Sequence, residues 1–238
     1  VAVMDLPTTD PSHRIAMYDM DRTITRAGTY SGFLIHVAQR RQQWRLLLLP
    51  LVALAGLAYL VRLIDRSTLK AINLRLLVGK RFNRHEIAPL AESYADRVIA
   101  RGLHAAALEQ IAADRAAGYR VLLATASFHL YVDAIAKRLG IEDVLATRLD
   151  EPDGADHIHA RLSGPNCYGL DKFARIQDWM ADNAITRDAA YIRAYSDHVS
   201  DHPMLHFADE SVATTPSRAL RLLAPKMGWQ VVDWRARK

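Results

Sequence analysis

Cysteine is nearly absent. Cys167 is the one thiol in 238 residues, which rules out an intramolecular disulfide and fits a reducing, cytoplasmic compartment. With no histidine partner evident in sequence, that lone thiol reads as inert. The first 14 residues lack an apolar core. Leu6-Pro7-Thr8-Thr9-Asp10-Pro11 is polar and broken by proline, so residues 1–13 read as a disordered lead-in and not as a signal peptide. A large excess of one charge is also missing. A formal net charge of +5 favours anionic substrates or an anionic membrane surface without indicating nucleic acid. The basic residues are not interleaved with aromatics that would stack on bases, so no nucleic-acid partner is expected. Nor does any uncharged apolar run reach the roughly 20 residues of a spanning helix.

What remains is an ordinary globular composition, 50% apolar and 24% charged, long enough for one sizeable core or a core with a smaller accessory domain. Ile15-Ala16-Met17 opens as a buried strand. A long helical region follows from Tyr30 to Ala117, with Gly118 at its C-terminal cap. Arg120–Thr125 is a strand, Phe128–Leu139 a helix stopped by Gly140, and Val144–Leu149 another strand. Asp150–Asp156 has turn composition, and His157–Leu162 returns as a hairpin strand. A helix over Leu170–Asn183 leads to a strand over Ala189–Tyr195, and short strands near Ser211–Thr214 and Gln230–Trp234 complete the chain. Strands alternating with helices imply an α/β fold with a parallel sheet, whose ligands bind beyond the carboxyl ends of the strands. Asp19, Thr125 and Asp197 all fall at such ends.

Tyr18-Asp19-Met20-Asp21-Arg22-Thr23-Ile24-Thr25 carries the most chemistry. Two carboxylates one residue apart, leaving a buried strand through a tight turn, suit a magnesium ion on one side and a phosphoryl group on the other, because a hard cation takes oxygen ligands. The plain alternative is a strand end capped by acidic loop residues. Further along, Gly169-Leu170-Asp171-Lys172 puts a lysine at a helix start, and Ser196-Asp197-His198-Val199-Ser200-Asp201 puts two acids four apart after an apolar strand. A zinc reading of His198 and His202, also four apart, is set aside because oxygen donors dominate.

Taken in order, these four segments resemble the haloacid-dehalogenase-superfamily phosphatases of the phosphoserine-phosphatase-like branch, from Arg14 to about Thr215. The resemblance implies a Rossmann-like parallel sheet core over 14–29 and 109–238 and an inserted all-helical cap over 30–108. It implies Asp19 as nucleophile and Asp21 as general acid and base, with Thr23 completing the Asp-x-Asp-x-Thr pattern. Thr125 would bind the transferring phosphoryl and Lys172 would hold it. Mg2+ would be held by Asp19, the backbone carbonyl of Asp21, and Asp197, while Asp201 would act through water or orient Lys172. Arg22, where many relatives have glycine, adds positive charge at the mouth. Arg22, Thr23 and Ser127 are the expected substrate contacts. The implied reaction is phosphomonoester hydrolysis through an aspartyl-phosphate.

The insert is unusual. Leu46–Val61 holds eight leucines, two valines and no charge, flanked by Arg40, Arg41, Arg45, Arg62 and Arg66. Each of those apolar side chains favours bilayer insertion by roughly 0.3–0.6 kcal/mol, while Pro50 and Gly56 weaken a continuous helix. A complete crossing would separate Asp19 from Thr125 across the membrane, so two readings stay open: an interfacial or re-entrant helix at the cytoplasmic face of the inner membrane, or the buried core of the cap. The basic-then-apolar insert resembles the phosphatidylglycerophosphatase C and CicA-type bacterial phosphatases, which implies a phospholipid headgroup such as phosphatidylglycerophosphate as substrate. The rivals are a soluble phosphatase for phosphoserine or histidinol phosphate and a catalytically silent membrane-associated regulatory protein.

Overall fold

The computed structural model describes residues 13–152 and 156–235. The expected lead-in over 1–13 lies outside these, save His13, as does Gly154 of the expected turn. In chain order the elements are β1 (His13–Tyr18), α1 (Thr29–Arg41), α2 (Leu49–Leu60), α3 (Arg66–Leu77), β2 (Arg81–Asn83), α4 (Arg84–Arg101) and α5 (Ala105–Ala116). There follow β3 (Arg120–Phe128), α6 (His129–Arg138), β4 (Asp143–Thr147), β5 (Leu149–Asp150), β6 (His157–Leu162) and α7 (Leu170–Asp182). The chain continues through β7 (Ala190–Ser196), α8 (His202–Phe207), β8 (Glu210–Thr214), α9 (Arg218–Leu223) and β9 (Gln230–Val232).

The expected α/β architecture is present. A six-stranded sheet runs β4-β3-β1-β7-β8-β9, with every pairing parallel. Both faces are covered, so successive side chains of each strand enter cores on opposite sides. Ala16, Tyr18, Val121 and Leu123 enter one core, while Ile15, Met17, Leu122 and Ala124 enter the other, as a period of two requires. Strand order reverses between β1 and β7, so the crevice for a ligand opens where those two strands end. Asp19 and Asp197 are the first residues past them.

The chain leaves the core for the insert after Ile24 and returns at His104, and the two linkers run side by side. Arg26 N donates to Gly102 O at 2.7 Å and His104 N to Ile24 O at 3.0 Å. Between them the helical region is not continuous. Gly79 breaks it at φ 127°, a conformation that excludes a Cβ, and β2 follows. The insert is therefore not all-helical: β2 pairs antiparallel with β6, Phe82 opposite Ile158, in a small sheet ordered β2-β6-β5. Three residues are too few to show a period of two. The hairpin partner of β6 is likewise not a continuation of β4. Leu149 and Asp150 leave the parallel sheet and pair with Leu162 and His159. β3 runs three residues past Thr125, with a register shift between Ala124 and Phe128.

The apolar run begins as a 3-10 turn over Gln43–Leu48, and α2 starts with Pro50 in its first turn, where a missing N–H costs nothing. The stretch Gln43–Leu60 is long and apolar enough to cross a membrane by length and composition, yet 6% of it is buried. Leu46 and Val52 pack on the body, and Ala55 is buried. The reading of this segment as buried cap core is therefore overturned.

Candidate active site

The strand ends expected to converge do so. Asp19, Asp21, Arg22, Thr125, Lys172, Asp197 and Asp201 line one cavity of about 250 Å³, joined by Gly28, Arg66, Tyr168 and His198. Asp19 is fixed by its backbone N–H, which donates to Tyr195 O at 3.0 Å, so β7 holds β1's exit in place. The next turn through Met20–Ile24 puts Arg22 at φ 65°, a left-handed conformation that costs an L-residue about 1 kcal/mol and explains why glycine suits the position. That turn leaves Arg22 exposed at the rim.

Lys172, in the first turn of α7, is buried and sits between two acids, 2.8 Å from Asp19 Oδ1 and 2.9 Å from Asp201 Oδ1. Ser196 Oγ donates to the other Asp201 oxygen at 2.6 Å. Asp201 thus orients Lys172 directly. Burial works against the charge on Lys172, but the two carboxylates outweigh it and hold the ammonium protonated. Burial also pushes Asp19 up, opposed by Lys172 and reinforced by Asp201 and Asp197. Burial, then Asp201, raises Asp197 to about 7.

Asp21 faces the seam between core and insert. Its Oδ1 accepts from Thr29 N at 2.6 Å and Thr29 Oγ1 at 2.7 Å, at the N-terminus of α1, and its Oδ2 accepts from Ser127 Oγ at 2.7 Å. Two expected substrate contacts are corrected by this geometry. Ser127 is buried and binds Asp21, and its backbone N–H donates to Thr125 Oγ1 at 3.1 Å. Thr23 is fully buried, and its hydroxyl accepts from Asp197 N at 3.0 Å. They hold Asp21 and Asp197, respectively, in place instead of lining the cavity. Cys167 is buried, and burial raises its thiol.

Several residues at the site carry no sequence signal of their own. Thr29 and Tyr131 share a hydrogen bond at 3.1 Å beside Asp21. Lys70 reaches in from α3 to donate to Ala126 O and to Asn166 Oδ1. Arg66 stacks over Tyr168, 4.0 Å from the ring centroid.

The donor set fits a hard divalent cation. Asp19, Asp197 and the Asp21 carbonyl offer only oxygen, and the buried carboxylates of Asp19, Asp197 and Asp201 outnumber the one ammonium ion-paired with them, Lys172. Among the described residues no three His, Cys, Asp or Glu side chains form a ready-made cage. A hard ion held here would complete its shell with water and phosphoryl oxygens. His202 stacks on His206 with ring centroids 5.6 Å apart, not with His198.

Comparison with known proteins bears on the family and the fold. A phosphoserine phosphatase of Mycobacterium tuberculosis is 32% identical over 154 residues, 64% of this chain and 49% of that protein. The chain thus spans about half the length of the first curated relatives it matches. Protein CicA of Caulobacter vibrioides is 29% identical over 196 residues, covering 82% of this chain and 83% of that protein. A solved protein of unknown function from Bordetella pertussis shares the fold at TM-score 0.85 and 24% identity, over 93% of this chain and 99% of that one. A phosphoserine phosphatase in apo form shares it at TM-score 0.62 and 16% identity, over 93% and 94% of the two chains. The family model for haloacid dehalogenase-like hydrolases matches residues 16–206, and on that match the chain belongs to this family.

Proposed function

We propose that the protein is a magnesium-dependent phosphomonoester hydrolase. One observation carries the reading: a carboxylate at a strand end, Asp19, ion-paired to a buried lysine inside a cavity ringed by Thr125, Asp197 and Asp21. Asp19 attacks phosphorus in line, forming an acyl-phosphate and releasing the alcohol. Lys172 and the Thr125 hydroxyl hold the phosphoryl oxygens against that attack. Asp21 gives a proton to the departing oxygen, then takes one from the water that cleaves the acyl-phosphate. When bound by Asp19, Asp197 and the Asp21 carbonyl, Mg2+ supplies charge neutralisation at the phosphoryl group. Thr23 and Ser127 act by fixing Asp197 and Asp21.

The exposed leucine-rich α2 favours a phosphate ester carried on a lipid headgroup, such as phosphatidylglycerophosphate, over a soluble ester such as phosphoserine. Phosphate release with Mg2+ is the test, comparing micellar phosphatidylglycerophosphate, phosphoserine and an aryl phosphate, for wild type and Asp19→Asn. Release that Asp19→Asn abolishes supports the hydrolase. Preference for phosphoserine would move the substrate to small metabolites, and no release from any ester would leave the silent regulatory reading.

A further inference from the structure

The outward sides of α2 and its flanks are uncovered. Leu47 is 80% exposed, Leu54 60%, Leu57 55%, Leu60 75% and Leu63 77%, with Trp44 56% exposed at the opposite end. Soluble monomers rarely leave so contiguous an apolar surface bare. We propose that this face docks on an anionic lipid bilayer, with α2 lying in the plane of the interface and the mouth of the Asp19 cavity held at headgroup level.

Charge selects a bilayer over a protein partner. Residues 40–66 carry five arginines and one acid, Asp65; Arg41 is paired with Glu86 at 2.7 Å, and the Asp65 carboxylate caps α3 by accepting from Thr68 N at 2.6 Å, so the segment keeps an excess of arginine. The arginines sit at the two ends and the leucines between them. With α2 in the plane, arginines at both ends can snorkel to anionic headgroups while the leucines enter the acyl region, whereas a second copy of the same basic face would set arginine against arginine. Trp44 and Tyr59 stand near opposite ends of the segment, where amphipathic rings prefer the interface, and Arg45 lies 4.8 Å from the Trp44 ring centroid.

A spanning placement is excluded by how the ends are tied. Arg45, before α2, donates to Leu76 O at 2.9 Å and Arg75 O at 3.2 Å at the far end of α3. After α2, the chain turns through Arg62 at φ 61° straight into α3. Both ends of the apolar segment therefore belong to the same body as the cavity.

The face also leads to that cavity. A groove of about 580 Å³ at the C-terminal end of α2 is bounded by Leu60, Leu63, Arg66 and Tyr168. Arg66 and Tyr168 line the catalytic cavity as well. The Arg66 guanidinium thus stands where a headgroup phosphate would pass from the membrane surface toward Asp19. As a substrate route this rests on the hydrolase reading, whereas the docking stands on α2 alone.

Vesicle co-sedimentation of the full chain tests it, using phosphatidylcholine vesicles with and without phosphatidylglycerol. The wild type should pellet with the anionic vesicles and release as salt rises. Leu47→Gln/Leu54→Gln/Leu57→Gln should lower partitioning by at least about tenfold, and Arg62→Gln should reduce it on anionic vesicles alone. Both variants change exposed positions, so turnover of a soluble aryl phosphate should stay at the wild-type rate. Wild type remaining in the supernatant with both vesicle types would overturn the proposal. So would a triple variant that binds vesicles normally but turns a dimer into a monomer on sizing, which would make the face a contact between copies. Pelleting without turnover of any ester would remove the hydrolase reading and leave the docking intact.

Discussion

Replacing Lys172 by methionine isolates the central electrostatic feature of the site. The side chain is 2% exposed and lies between Asp19, 10% exposed, and Asp201, 3% exposed. Methionine fills similar space but leaves both carboxylates, with Asp197 nearby, without their cation. Breaking a buried pair by removing one partner costs about 3–5 kcal/mol. For a chain of this size that is a fall in Tm of about 6–20 °C. The loss should depend on pH in the metal-free protein. At pH 8 the acids must either stay charged and unpaired or bind protons against a low proton concentration, so the deficit is largest. At pH 5 a proton on Asp19 or Asp201 substitutes for the missing ammonium, and the deficit shrinks. Thermal denaturation of wild type and Lys172→Met in chelator at both values measures this, with phosphate release as a second readout expected to vanish. An equal deficit at pH 5 and pH 8 would mean that Lys172 acts through packing, and the reasoning from charge would be wrong.

Other perturbations reach different parts of the site. In the metal-free wild type, Asp197 has a folded value of about 7, above its ordinary 3.8, so the folded chain takes up a proton. Its contribution should lower stability as pH rises from about 4 to about 7, and added Mg2+ should stabilise most at the upper end; a Tm insensitive to Mg2+ at pH 7 would count against a cation there. Burial pushes Lys70 down to about 7 from 10.5. The folded chain therefore holds fewer protons than the unfolded one, and stability should rise between about pH 7 and pH 10 with a slope that Lys70→Met removes in urea titrations. Arg22→Gly should relieve the left-handed strain and stabilise by up to about 1 kcal/mol, less the added entropy of the unfolded glycine, while raising KM for an anionic ester. Thr29→Val removes the hydroxyl bond to Asp21 and keeps the N–H bond. It should cost about 1.5–3 kcal/mol and lower kcat more than it changes KM, and an unchanged kcat would separate Asp21's function from its anchor.

Much of the site was legible because its parts are local. Asp19 and Asp21 share one turn, and each strand before a functional residue announces itself by a short apolar run with a polar end. What escaped was long-range. Thr23 and Ser127 look like substrate contacts in sequence, since a hydroxyl near a catalytic acid has no written direction. Folding sends them to Asp197 N and to Asp21. Lys70 is an unremarkable helical lysine until α3 packs it against Ala126 and Asn166, and β2 exists because Phe82 finds Ile158 across 76 residues of chain.

By itself the sequence determined the alternation of strands and helices in the parallel-sheet core, the acid pair at the end of β1, and the oxygen-rich chemistry of the cavity, since these follow from side-chain periodicity and residue type over a few positions. Only the tertiary structure decided that Asp201 grips Lys172, that Asp21 is held at the seam with the insert, and that residues 46–61 lie on the outside. An uncharged leucine run looks the same buried in a cap or facing lipid. Its exposure depends on what packs against it, and nothing among the described residues covers the outer face of α2.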